Sequence, residues 1–108
     1  MFVDDADRLQ HMRDAARSAL RFVAGREREN LAEDEMLLFS VIRALEIIGE
    51  AASKITEPTK RKYPRVPWRQ VIGMRNWLSH AYFQVEPDLV WETVTEELPV
   101  LLEELGEV

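Results

Sequence analysis

Apolar residues recur at intervals of three and four along the N-terminal part of the chain, which is the spacing of one helix face. Aspartates at positions 4, 5 and 7 lie where the dipole of such a helix favours negative charge. The pattern predicts a first helix from Asp4 to Val23. His11 lies outside the apolar stripe, so we expect it to be a solvated helix residue. The stripe consists of Leu9, Met12, Ala16, Leu20 and Val23.

The second apolar segment is longer, and its apolar residues cover more than one helix face. It predicts a helix from Ala32 to Lys54, after a polar break that includes Gly25. A helix of this kind in a small domain is buried on two sides, either as the central core element or at an oligomer interface. Gly49 lies inside it at a cost of about 1 kcal/mol relative to alanine, so we expect a packing reason for the glycine.

The connector that follows contains three prolines, and four cations against a single acid. Its start, Thr56-Glu57-Pro58, predicts a short helical turn with Pro58 in the first turn. Pro67 is expected to open a third helix that ends near Ala81, because proline is favoured at the first helical position.

A fourth helix is predicted from Pro87 and Asp88 to the neighbourhood of Gly106. Pro99 interrupts its apolar pattern. Since proline removes a backbone hydrogen bond, we expect this helix to be kinked or divided there.

No stretch alternates apolar and polar residues as a half-buried strand would. We therefore predict an all-α fold, an up-and-down four-helix bundle, in a single domain over residues 1–108. The hydrophobic content of 46% is sufficient for a core, and the lack of cysteine excludes disulfides and thiolate metal sites. No apolar run reaches about eighteen residues, so we expect a cytoplasmic protein that does not enter a membrane.

The charge of the chain is unevenly distributed. Seven cations and one acid lie between Lys54 and Arg75, against seven cations and 19 acids elsewhere. This asymmetry predicts a basic patch that can meet phosphate, although a solvated charged loop would give the same composition. The candidate RNA-binding residues are Lys60, Arg61, Lys62, Arg65 and Arg69.

The segment from Met74 to Tyr82 carries the candidate chemistry. Arg75 can hold a phosphate, and His80 can act as a general acid or base. Asn76 and Ser79 can add hydrogen bonds to phosphate or to the histidine. Metal-free RNA cleavage needs these functions, and no metal-ligand spacing is present, so we expect no metal and no cofactor. By residue chemistry alone a structural role stays open, and the function is undecided.

Geometry favours a shared site. On an ideal helix Arg75 and His80 point about 140° apart, and one chain supplies one suitable histidine. Two copies around a two-fold axis would supply two histidines and two arginines to one cleft. The three tryptophans are expected to serve packing rather than base stacking.

The run Arg75-x-x-x-x-His80-x-Tyr82 matches the signature of the HepT-like toxins, a branch of the HEPN superfamily. Its context agrees from the second helix to the C-terminus. The sequence therefore resembles this family. The context residues are Ile48-Gly49-Glu50-Ala51, Val66-Pro67-Trp68, Gly73-Met74-Arg75-Asn76 and Val90-Trp91.

The resemblance implies a homodimeric, HEPN-like bundle that is the toxin of a type VII toxin–antitoxin system. It implies a metal-independent ribonuclease with Arg75 and His80 as the catalytic pair and Asn76 in support. It also implies an MntA-type minimal nucleotidyltransferase antitoxin that adds AMP to Tyr82. The acidic body favours a locally steered RNA substrate such as a tRNA end. The alternatives are a non-catalytic helical module that docks the nucleotidyltransferase, and a plain structural dimer.

Overall fold

The computed structural model of the protein describes residues 4–80 and 86–106, with only the backbone of Trp77, Ser79 and His80. Regular structure in these ranges is helical throughout, so the predicted all-α class is confirmed. Among the described helices, none is both long and apolar enough to cross a bilayer. The helices are α1 (Asp5–Val23), α2 (Arg28–Glu33), α3 (Glu35–Ser53), α4 (Glu57–Lys62), α5 (Trp68–His80), α6 (Pro87–Glu92) and α7 (Leu98–Glu104), with a π-helical segment (Thr93–Glu97) between the last two.

Helix α1 follows its predicted bounds to within one residue. It begins at Asp5 because the Asp4 carboxylate accepts a hydrogen bond from the amide of Asp7 at 2.9 Å, which caps the first turn. Gly25, with φ of +74°, follows its end. His11 is exposed on this helix, as predicted.

The predicted second helix begins three residues later than expected, and a separate short helix precedes it. The Asp34 carboxylate accepts a hydrogen bond from the amide of Leu37 at 3.1 Å, so α3 starts at Glu35. Helix α2 begins inside the stretch expected to be a polar break, where the Asn30 side chain accepts a hydrogen bond from the amide of Glu27 at 2.7 Å. Each of the two helices thus has its own N-terminal cap, and the segment predicted as one helix is divided between α2 and α3.

Helix α3 is the central element of the bundle. Helices α1 and α5 make the most extensive packing contacts, and both make them with α3. The prediction that this helix is buried on two sides is therefore confirmed. Its face towards α1 and α5 is apolar, with Val41, Leu45 and Ile48 fully buried.

Gly49 is a point of close approach between α3 and α5. A Cβ atom on Gly49 would lie 3.0 Å from both the Cβ and the amide nitrogen of Arg75, and 3.2 Å from the carbonyl oxygen of Val71. These distances are shorter than ordinary van der Waals contacts, so a side chain here would require α5 to shift by a few tenths of an ångström. The expected packing reason for Gly49 is confirmed, and it involves a candidate catalytic residue.

The C-terminal helix is divided before Pro99, as predicted. The amide of Leu98 donates to the carbonyl of Thr93, five residues back, which is the bond of a π-helix. This wider turn accommodates a proline, whose ring would otherwise crowd the carbonyl four residues before it. Gly106, with φ of +82°, ends α7.

Candidate functional site

Helix α5 presents a core side and a polar side. Val71 and Leu78 are buried and Met74 is half-buried, whereas Arg75 and Asn76 are exposed. This is the arrangement predicted from the helical period. The helix therefore holds its polar residues at the surface through an apolar face that packs into the bundle.

Arg75 lies over the last turn of α3. Its guanidinium Nη1 donates a hydrogen bond to the hydroxyl oxygen of Ser53 at 3.2 Å, and that hydroxyl donates to the carbonyl of Glu50 at 2.7 Å. The C-terminal end of a helix carries partial negative charge, which favours a cation there. Together with the close approach at Gly49, this hydrogen bond holds Arg75 at a defined place on the surface.

Ser53 was missed by reasoning from the sequence. A signal existed, because Ser53 is four residues after Gly49 and so shares its helix face. Gly49 itself was recognised only as a packing position. Both residues contact the candidate catalytic arginine.

Three candidate residues of the predicted active segment lie outside what the structure describes. Helix α5 is described as far as His80, but without the side chains of Ser79 and His80, and Tyr82 lies in the range that is not described. The pairing of Arg75 with His80 therefore stays a prediction, as do the roles of Ser79 and Tyr82.

A groove between α4 and α5 collects much of the positive charge of the connector. We call it the basic groove and define it by Lys60, Arg61, Trp68, Arg69 and Asn76. Lys62 and Arg65, the other predicted RNA-binding cations, are exposed but do not line it. The structure thus brings three of the five cations together with one supporting residue of the active segment.

One acid also lines the basic groove. The carboxylate of Glu57 lies 3.4 Å from the ammonium of Lys60, whose side chain is 17% exposed. This pair reduces the positive charge at one end of the groove. Arg61 and Arg69 are the exposed cations of the groove and dominate its field.

Helix α4 is held in place at its N-terminal end by a residue of α1. The Asp5 carboxylate accepts hydrogen bonds from the amide of Thr56 at 3.2 Å and from the hydroxyls of Thr56 and Thr59. These bonds, the one from the Thr56 hydroxyl foremost, hold the pKa of Asp5 below its ordinary value of 3.8. Nothing in the sequence pattern pointed to this contact.

The C-terminal end of α4 is held by Trp68. The indole Nε1 donates to the carbonyl of Tyr63 at 3.1 Å and to the carbonyl of Lys60 at 3.3 Å. These carbonyls lie at the end of α4, and each also accepts a backbone hydrogen bond, Lys60 from the amide of Tyr63 and Tyr63 from the amide of Val66. Asp5 and Trp68 therefore fix α4 at both ends, and with it the positions of Lys60 and Arg61.

The basic groove and Arg75 occupy neighbouring faces of α5. Asn76 lines the groove, while the preceding residue turns towards Ser53 on α3. Successive helix residues point about 100° apart, which accounts for the change of face. An anion in the groove could contact Asn76, which is next to Arg75 in the chain.

The opposite side of α5 has the reverse character. A cleft between α5 and α7 has an apolar lining that includes Val71, Met74 and Leu101. Glu96 and Glu104 stand at its edge, and its lining contains no cation. Phosphate groups are repelled there, so the electrostatic field of the domain favours the basic groove for an anionic polymer.

Within the described residues, no three histidine, aspartate or glutamate side chains are grouped closely enough to hold a metal ion. The side chain of His80 is not among those described.

Three grouped cations on one groove of a helical bundle form a surface that can attract phosphate groups. The sequence model of the HepT-like ribonucleases matches residues 12–108, and the chain belongs to that family. The resemblance read from its motifs is thereby confirmed.

Several relatives carry provisional ribonuclease names. A Caldanaerobacter subterraneus protein, provisionally named an RNase, is 34% identical over 100 residues, covering 93% of this chain and 89% of its own length. A similar protein of Methanocaldococcus jannaschii is 36% identical over 92 residues, with 85% and 84% covered. A Thermococcus cleftensis protein, provisionally named ribonuclease HepT, is 48% identical over 73 residues, with 68% and 66% covered. No solved structure is significantly similar to the chain.

Proposed function

We propose that the protein is the ribonuclease toxin of a type VII toxin–antitoxin pair, and that it cleaves RNA without a metal ion. The observation that carries the proposal is the basic groove, whose lining includes Asn76, the residue that follows the anchored Arg75 on α5. Membership of the HepT-like family and the ribonuclease names of its relatives support the same reaction.

The proposed reaction is a transesterification within the RNA. The 2′-hydroxyl loses its proton to one base and attacks the adjacent phosphorus, while the leaving 5′-oxygen takes a proton from an acid. The products are a 2′,3′-cyclic phosphate and a 5′-hydroxyl. His80 is the proposed acid or base, and Arg75 stabilises the added charge on the phosphorane oxygens. Asn76 and Ser79 are the proposed hydrogen-bonding supports for the phosphate or the histidine.

A homodimer is the proposed active form, because the reaction uses two proton-transfer groups and each chain offers one histidine in this segment. An apolar surface on α1 and α3 supports a second copy as its occupant: Phe22, Met36 and Phe39 are 39%, 82% and 42% exposed. Phe39 and Ser53 lie about 40° apart around α3 on an ideal helix. A copy docked at Phe39 would therefore lie on the side of α3 that holds Arg75.

Control by an MntA-type minimal nucleotidyltransferase completes the proposal. Such an antitoxin would transfer AMP from ATP to the hydroxyl of Tyr82 and release pyrophosphate. The anionic adduct would lie two residues from His80 and would repel RNA phosphate. The proposed substrate, such as a tRNA end, and the partner would be met in the cytoplasm.

Cleavage of RNA in EDTA tests the proposed activity. We expect the purified protein to yield 2′,3′-cyclic phosphate ends, and His80→Ala or Arg75→Ala to abolish them. His11→Ala and Arg21→Ala change an exposed histidine and an exposed arginine on α1, and are expected to keep full activity. Cleavage that persists in both of the first variants would remove these residues from the mechanism.

The regulatory step has a separate test. After incubation with the partner and ATP, the intact mass of the protein should rise by whole adenylyl units, and Tyr82→Phe should prevent the increase. An unchanged increase in the phenylalanine variant would contradict the assignment of Tyr82. If the protein forms a stable complex with the nucleotidyltransferase but cleaves no RNA, either as a monomer or as a dimer, the non-catalytic docking module is favoured instead.

A further inference from the structure

Trp68 is the aromatic residue in the basic groove. Part of its ring packs against the hydrophobic core, and part lines the groove. Its indole Nε1 donates to the carbonyls of Tyr63 and Lys60, at 3.1 and 3.3 Å. These two bonds fix the orientation of the ring, so the surface that it offers to the groove is rigid before any ligand arrives.

Exposed cations from two helices line the same groove as this ring. Arg61 comes from α4 and Arg69 from the first turn of α5, next to Trp68 in the chain. An aromatic surface flanked by cations is the usual platform for a single-stranded nucleic acid, because a base stacks on the ring while the neighbouring phosphates meet the cations. A duplex offers its phosphates but keeps its base faces inside the stack.

We propose that the basic groove binds single-stranded RNA, with one unpaired base stacked on Trp68 and the adjoining phosphates on Arg61 and Arg69. The choice of RNA as the polymer rests on the proposed function. The strand continues past Asn76 to the face of α5 that carries Arg75. Trp68 thus selects unpaired RNA and directs it towards the proposed cleavage centre.

The proposed stacking role of Trp68 differs from the role predicted from the sequence for all three tryptophans. Packing alone was expected of them, and Trp68 does pack and does hold α4 through its indole N–H. The ring also lines the basic groove together with three cations. The same side chain that fixes α4 in place is therefore available to the ligand.

Binding of a strand that cannot be cleaved separates this site from catalysis. A fluorescein-labelled 2′-O-methyl oligoribonucleotide lacks the attacking hydroxyl, and its affinity is measured by fluorescence anisotropy in EDTA. We expect Trp68→Leu to weaken binding by between about five- and a hundredfold, the range for loss of one stacked base. Trp68→Phe keeps a stacking face and should lose much less.

An abasic strand of the same length isolates the stacking contact. The unmodified protein should bind it more weakly than the strand with bases, and Trp68→Leu should cause no further loss. The comparison of the two strands uses the unmodified protein, so it still tests the stacking contact if Trp68→Leu fails to fold. Equal affinity of the unmodified protein for the two strands would overturn the stacking proposal.

The phosphate contacts have their own controls. Arg61→Gln and Arg69→Gln should each weaken binding and reduce the slope of log affinity against log salt by about 0.7, the value for one contact to a single strand. Arg65→Gln removes a cation of the same connector that does not line the groove, and should have a smaller effect. Arg21→Gln, on α1, should have none. Equal losses for Arg61, Arg65 and Arg69 would show diffuse attraction and contradict the groove.

The outcomes for binding and for cleavage are independent. The uncleavable strand reports binding alone, so its affinity can be measured whether or not the protein proves to be a ribonuclease. A blunt duplex of the same length should bind more weakly than the strand. Duplex binding at equal or higher affinity would contradict the selection of unpaired RNA, and would leave the test of cleavage untouched.

Discussion

The backbone of Gly49 in α3 lies directly against Arg75 in α5: a Cβ atom at Gly49 would lie 3.0 Å from both the Cβ and the amide nitrogen of Arg75. The residue that carries the proposed phosphate contact is therefore seated on the central helix of the bundle. Ser53, one turn further along the same helix face, accepts a hydrogen bond from its guanidinium. The core of the fold and the position of this side chain are consequently linked.

Replacement of Gly49 by alanine tests this link. The added methyl group forces α5 away from α3, and we expect the free energy of unfolding to fall by about 1–3 kcal/mol, partly offset by up to about 1 kcal/mol of improved helix propensity. Cleavage should fall with it, because Arg75 moves with α5. Denaturant titration and RNA cleavage assays measure the two effects.

Gly73→Ala is the matched control for stability, since Gly73 also lies within a helix but has open space around its Cβ position. It should leave the free energy of unfolding unchanged or raise it by up to about 1 kcal/mol. A Gly49→Ala protein as stable as Gly73→Ala would show that the two helices tolerate the methyl group.

Ser53 is expected to act as a positioning residue for Arg75. Ser53→Ala removes the acceptor for the guanidinium, and we expect kcat to fall about three- to tenfold, which corresponds to about 0.7–1.4 kcal/mol, with little change in KM. Ser53→Thr keeps the hydroxyl and should restore most of the activity. Steady-state kinetics on a short RNA would separate the two constants.

Ser18→Ala provides the comparison for Ser53. It removes an equivalent bond on α1, where the guanidinium of Arg21 donates to the Ser18 hydroxyl at 3.0 Å. Activity should be unaffected. If Ser53→Ala behaves in the same way as Ser18→Ala, the bond to Arg75 has no part in the reaction.

Asp5 is expected to make the stability of the α4 region depend on pH. Hydrogen bonds from Thr56 and Thr59 lower the pKa of this carboxyl group in the folded protein below 3.8. Its contribution is therefore fully present above the unfolded pKa and is lost as the pH falls through the lower, folded pKa. Urea unfolding from pH 7 down to pH 3 should show Asp5→Asn to be less stable at neutral pH, with the difference narrowing in acid.

Asp7→Asn changes another aspartate of the same helix turn and gives the baseline for this comparison. The difference in free energy of unfolding between Asp7→Asn and the unmodified protein should not narrow in acid in the way expected for Asp5→Asn. A constant difference for Asp5→Asn across the whole pH range would mean that the carboxylate form is not what holds α4.

The proposed dimer is tested at Phe39. Phe39→Glu places a charge on the exposed apolar surface of α3, and we expect sedimentation analysis to show a monomer with cleavage strongly reduced. Leu89→Glu is the control, because Leu89 is 45% exposed against 42% for Phe39 but lies on α6. The Leu89→Glu protein should sediment as the same oligomer as the unmodified protein. A Phe39→Glu dimer with full activity would exclude this surface as the contact.

The sequence by itself determined the helical class and most helix positions. The spacing of Leu9, Met12 and Ala16 predicted α1, and Pro58 and Pro99 correctly marked a short helix and a division, because period and proline geometry are local properties. The early start predicted for α3 was wrong, since the side chain of Asp34 caps the helix there and an apolar period alone does not reveal which polar residue will do so.

Only the tertiary structure decided which surface residues share a site. Lys60, Arg61 and Arg69 line one groove while Arg65 does not, although all four are close in sequence. That grouping depends on how α4 is held by Asp5, which is 51 residues from Thr56 along the chain. The seat of Arg75 on Gly49 and Ser53 is likewise a contact between helices. Such contacts form only when the apolar faces of the helices pack together. The pattern of residues along the chain therefore identifies candidate residues but does not predict which of them lie close together.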